Sequence, residues 1–234
     1  RDSGPFAQVG PDDRGPIRFF VGGSLVIAEP EGPFAQVVGT GWGVDLNGRW
    51  ALDEEGVLGL RTGFSFVEYG RETRRVCFSS TVGCRVVLDL ITSNTILSGG
   101  LGPEVALPGR SVRPYAYGQI GFAYFSTTSR LRGTQDVEDF ASTENFGDGT
   151  LAWRMGGGMQ VRISGGRTPV WLDIGADYHR NGVVEYLTEG DIRDNSDGSI
   201  TLFPNRSEAN LTTFRIGVTV GIPGRRDRRG RFGR

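Results

Sequence analysis

The 234-residue chain sets 26 basic against 27 acidic side chains, a formal net charge of −1 that offers no general attraction for nucleic acid or acidic substrates. All of the basic residues are arginine, glycine at 38 is about twice its usual share, and cysteine is only 2. No run of about 18 apolar residues occurs, which excludes a membrane-spanning helix but not a membrane β-barrel, whose short alternating spans average away in hydropathy.

Residues 1–15 read as an N-terminal extension with neither a basic flank before an apolar stretch nor a cleavage pattern, so any secretory signal is expected to have been removed. The segment GPFAQVG at 4–10 recurs as GPFAQVVG at 32–39. Coincidence or a short duplication is the plain reading; the alternative is that the N-terminal segment mimics the first loop and docks on a neighbouring copy, making a homo-oligomer.

From residue 16 the chain shows eight stretches in which apolar and polar or small residues alternate, the signature of strands with two different faces. The first sets Phe19, Val21, Leu25 and Ile27 against Arg18 and Ser24. The second sets Val38, Trp42, Val44, Leu46 and Trp50 against Asp45, Asn47 and Arg49, and the third Leu58, Leu60, Phe64 and Phe66 against Arg61 and Ser65. In the fourth, Leu97, Leu101, Val105 and Leu107 oppose Ser98 and Glu104. In the fifth, Ile120, Phe122 and Tyr124 oppose Arg113, Tyr115, Tyr117 and Gln119. The sixth opposes Leu151, Trp153, Met155, Met159, Val161 and Ile163 to Arg154, Gln160, Arg162 and glycines. The seventh opposes Val170, Leu172, Ile174, Ala176 and Tyr178 to Trp171, Asp173, Asp177 and His179. The eighth is the cleanest, with Phe214, Ile216, Val218, Val220 and Ile222 on one side and Thr213, Arg215 and Thr219 on the other.

Alternation alone suits a soluble sandwich or a membrane barrel. Connection lengths separate the two. Short turns (DEEG, PGRS, SGGRTP) alternate with long links at 69–90, 126–149 and 180–210, as in an up-and-down barrel with periplasmic turns and extracellular loops; only the first link, EPEGPF, is short out of turn. Phe66, Tyr124, Trp153 and Tyr178 fall near the long-loop ends, and Phe19 and Trp50 near the short turns, as two interfacial girdles would. The fold expected is therefore all-β, an eight-stranded antiparallel up-and-down transmembrane β-barrel over residues 16–223, followed by a basic tail at 224–234. Its small lumen must be filled by side chains, and buried charges must be paired. A plug is expected from Arg18, Asp45, Arg49, Arg61, Glu104, Arg113, Arg154, Arg162, Asp173, Asp177 and Arg215. Cys77 and Cys84, in CFSSTVGC, have the spacing of a local loop disulfide, which favours an oxidising compartment.

Segments such as VDLNGRWAL, GLGPEVALPG and VRPYAYGQIGFAYF, with the closing strand LTTFRIGVTVGI, resemble the small outer-membrane β-barrel family of OmpA and OmpX, often called porin-like. The last strand looks like the family's assembly signal, although Ile222 is followed by PGRRDRRGRFGR where members commonly end on an aromatic residue. The resemblance implies a bacterial outer-membrane location, outer-membrane lipid as surroundings, extracellular loops and periplasmic termini.

Other features have plainer readings. His179, the single histidine, reads as a hydrogen-bonded rim residue; a lipid-modifying enzyme similar to lipid A deacylase would need a serine two positions on, where Asn181 stands. Asp191, Asp194, Asn195 and Asp197 offer oxygen ligands, yet the EF-hand spacing fails at Arg193, and a hairpin turn at Asp197-Gly198 is the reading. GTGWGV and MGGGMQ lack the strand-to-helix context of a phosphate loop. The six arginines of the tail could meet anionic headgroups or simply be solvated. The chain is thus expected to be non-enzymatic, without metal or cofactor, with a structural or surface-interaction role. A small pore for ions or solutes is the alternative and a lipid-modifying barrel enzyme the third reading.

Overall fold

The computed structural model describes residues 17–77, 87–109, 111–133, 139–166, 168–195 and 199–223. The seven strands β1 Ile17–Pro30, β2 Gly41–Ala51, β3 Leu58–Cys77, β4 Val87–Ala106, β5 Val112–Gly133, β6 Asp139–Ser164 and β7 Val170–Asn181 run in chain order around a barrel. Four short strands follow: β8 Val183–Tyr186, β9 Ile192–Asp194, β10 Ile200–Leu202 and β11 Asn205–Glu208. The last, β12 Leu211–Pro223, closes the ring between β7 and β1. Every neighbouring pair is antiparallel, so the eight-stranded up-and-down barrel expected from the alternation is the one found.

The period of two decides which way each side chain points. Leu25, Trp42 and Leu151 are 68%, 64% and 71% exposed, whereas Asp45 and Arg61 are 0% and 2% exposed. Apolar residues therefore face outward and charges face inward. Phe19 and Trp50 are register partners at the end of the short connections 52–57, 107–111 and 165–169, where Ile17 also pairs with Pro223.

The links at 69–90 and 126–149 are not loops. The β3–β4 ladder continues to Cys77 with Val87, and the β5–β6 ladder to Arg132 with Asp139. Polar residues dominate these extensions and the apolar ones, such as Val87, Leu88, Leu90 and Ile91, fall on both faces, so the sequence alternation ends while the backbone ladder goes on. Residues 78–86, which include Cys84, lie outside the described residues, as do 1–16, 134–138, 196–198 and 224–234. The expected Cys77–Cys84 link, the Asp197-Gly198 turn, the first copy of the repeat and the basic tail therefore fall there. On either side of 196–198, β9 and β10 pair with each other rather than prolonging β7 and β12.

Residues 31–40 fold inward over the barrel through a 3-10 turn at Phe34–Gln36. Phe34 is 0% exposed and meets Tyr69, Phe125 and Tyr186 edge-on, with ring centroids 5.5, 6.1 and 4.9 Å away. Val38, expected on the outward face of the second strand, instead belongs to this buried cluster, because the strand begins only at Gly41. Leu187 lies beneath the same lid, its carbonyl accepting from the Tyr69 hydroxyl at 3.2 Å.

Candidate functional site in the barrel lumen

An eight-stranded barrel leaves an interior just wide enough for side chains. Glycines make the room: a Cβ at Gly156, on β6, would lie 2.0 Å from Asp177 Oδ1 and 2.7 Å from the Ala176 carbonyl. Into this space β2, β3, β4, β5, β6, β7 and β12 each project charged or hydrogen-bonding groups.

At the short-connection end, Arg49 and Arg113 each donate to the Gly56 carbonyl, at 2.8 and 2.7 Å, and both lie over the Phe20 ring. One layer in, Glu104 pairs with Arg49 Nε at 2.5 Å and with Arg61 Nη1 at 2.8 Å. Arg61 stacks on Tyr117, its Cζ 4.5 Å from the ring centroid. Arg215 donates to the hydroxyls of Tyr117 and Tyr115 at 2.9 and 2.8 Å and pairs with Asp177 Oδ1 at 3.2 Å. Tyr117 also donates to Asp177 Oδ1. Arg154 spans the middle, with Nη1 on Asp45 at 2.7 Å and Nη2 on Asp177 at 2.6 Å. Above it His179, 4% exposed, is held by the Thr213 hydroxyl at 3.3 Å from Nε2.

Nine of the eleven residues named from sequence thus project into the lumen interior, and two are exposed at its end. Arg18 is exposed because the β1–β12 register shifts between Ile17 and Phe19, which takes it out of the alternation. Arg162 keeps the face of its register partner Trp171 but sits at the rim, where it is exposed; it lies over the Trp171 ring and donates to the Ser164 carbonyl. Pairing also differs in two places. Asp173 is held by neutral donors, Tyr115 at 2.5 Å, Gln160 at 3.0 Å and Thr219 at 3.3 Å, and Arg113 by the Gly56 carbonyl. The inward Phe20 went unnamed because Phe19 beside it carries the same apolar signal; only the register separates them.

Around Arg154, Gln119 and His179 the free cavity is about 10 Å³, room for about one water, so no hydrated ion fits there. Asp191 is tied to Thr188 and Asn205, and no metal-binding group of His, Cys, Asp and Glu forms among the described residues.

No protein-family model and no curated protein matches this chain. Similar solved structures include Ail, the attachment invasion locus protein of Yersinia pestis, 14% identical over 88% of this chain and 98% of that one, with a TM-score of 0.43. Neisserial surface protein A is 11% identical over 88% of this chain and 97% of that one, also at 0.43. A major outer membrane protein from Thermus thermophilus is 12% identical over 84% of this chain and 98% of that one, at 0.39.

Proposed function

We propose that this chain is a non-enzymatic protein of the bacterial outer membrane, its lumen plugged by paired charges, with a structural or surface-interaction role at its extended end. The observation that carries the reading is the inversion of the molecule: apolar side chains ring the outside and charges fill the inside. Water would penalise such an exterior, while a bilayer accepts it. About nine residues per strand at ~3.3 Å each, tilted by ~40°, give an apolar band about 23 Å tall, close to the ~25 Å expected of such barrels. In this orientation the short connections and both chain ends are periplasmic and the long hairpins are outside.

Two further features support a closed, non-catalytic barrel. The charge layers are capped by the aromatic lid around Phe34, and His179 faces inward, away from the lipid that a lipid-modifying residue would have to reach. Self-association through the long hairpins or the N-terminal segment belongs to the same proposal.

The test is twofold. The purified chain in mild detergent should migrate faster on an SDS gel unboiled than boiled, and planar bilayers containing it should show no unitary conductance. Solubility in plain buffer with no mobility shift would remove the membrane reading, and stable conductance steps would replace the plug with a pore.

A further inference from the structure

We propose that the extended end holds a binding site for the terminal sugar of a neutral glycan, an inference that rests on the surface-interaction reading above. A cavity of about 280 Å³ lies between the inner wall of β3 to β6 and the turn at 188–190. That is near the lower end of ligand-binding cavities, ~300 Å³, a size for one pyranose ring.

The wall chemistry selects the ligand. Leu90, Thr92 and Asn94 alternate onto one face of β4 and line the cavity with Ser129 of β5 and Asn145 of β6. These groups are fixed in advance. Asn145 donates to the Ser129 hydroxyl at 2.6 Å, which lies 3.1 Å from Thr92 Oγ1, and Thr127 donates to Asn94 Oδ1 at 2.7 Å. Asn94 is only 4% exposed, and among the described residues its amide nitrogen has no acceptor, leaving a donor for a ligand hydroxyl. On the opposite side the turn is locked by Asp191, whose Oδ2 accepts from the Thr188 amide at 2.7 Å, the Thr188 hydroxyl at 2.8 Å and Asn205 at 2.6 Å. Such prior fixing lowers the ordering cost of binding.

Charge argues against an anion. Arg71 and Arg74 are matched by Glu72 and Glu189 in the same lining, and Arg74 donates to Glu72. Apolar contact comes from Leu90, Ile192 and Ile200. A sugar ring presents hydroxyls that both donate and accept together with a C–H face, and suits a wall of this mixed kind with no net charge. Below, the lid of Phe34, Tyr186 and Leu187 closes the way into the lumen, so the site binds without transporting.

The intact chain in detergent would be titrated separately with glucose, galactose, mannose and N-acetylglucosamine and read by saturation-transfer NMR. At least one sugar should bind saturably. Asn94→Asp, which removes the free donor at constant shape, and Ser129→Leu, which fills the cavity, should each weaken binding by about tenfold while the heat-dependent gel shift persists. A chain that keeps its gel shift and saturates with none of the four sugars overturns the site and leaves the barrel reading standing. Binding unchanged in both variants overturns its location, and displacement of the sugar by inorganic sulfate turns it into an anion site. Loss of the gel shift in the unaltered chain would strike the barrel reading itself.

Discussion

Replacing Arg154 by methionine tests the lumen plug at its centre. Its guanidinium holds two carboxylates, Asp45 at 2.7 Å and Asp177 at 2.6 Å, and both of those side chains are 0% exposed. The two would not suffer equally. Asp177 keeps Arg215 at 3.2 Å and the Tyr117 hydroxyl, whereas Asp45 loses the one cation it pairs with among the described residues. One stranded buried charge, not two, sets the magnitude, and removing one partner of a buried pair costs about 3–5 kcal/mol. Arg154→Met should therefore lose about that much, read as a lowered guanidinium midpoint for the barrel in lipid vesicles, followed by fluorescence of its 4 tryptophans. Adding Asp45→Asn removes the stranded charge and should bring stability back to within about 1 kcal/mol of the parent chain. A single variant that loses less than about 1 kcal/mol, or a double variant as unstable as the single, would refute the pairing argument.

Three other outcomes follow from the same geometry. Leu25, 68% exposed beside Val44 and Ile216 on the outer face, separates bilayer from water: Leu25→Arg should cost about 2–4 kcal/mol in vesicles, and a change within about 0.5 kcal/mol would mean that the face is wet. Phe34→Ala empties the aromatic lid; residues 31–40 and 182–210 should become sensitive to protease while the gel shift survives, and undiminished resistance would show that the lid does not hold these segments. Asp53, in the exposed 52–57 turn, is pushed up by desolvation, but the amides of Val57 at 3.0 Å and Leu58 at 2.8 Å outweigh this and hold it below its usual value. Its stabilising contribution is therefore complete above the unfolded-state titration and fades as pH falls through the lower folded one. A carboxyl NMR titration of Asp53 with a midpoint at or above that of an unfolded-chain aspartate would contradict this.

The sequence by itself determined the strands and their two faces. Alternation such as Phe214, Ile216, Val218 and Val220 against Thr213, Arg215 and Thr219 needs only the period of two, and it marked nine of the lumen charges before any pairing was known. It could not determine who meets whom. Arg154 reaches Asp45 across 109 positions of chain, and Arg215 reaches Tyr115 across 100, distances that only closure of the ring brings to hydrogen-bonding contact. Tertiary structure likewise decided where the pattern breaks. The register shift at Ile17/Phe19 turns Arg18 out of the lumen, Arg162 lies exposed at the rim over Trp171, and inward folding of 31–40 buries Phe34 and Val38. The long hairpins were hidden for a physical reason: above the apolar band polar residues dominate and the few apolar ones, such as Val87, Leu88, Leu90 and Ile91, fall on both faces, so residue type no longer reports the alternation, while the backbone goes on pairing irrespective of the side chains it carries.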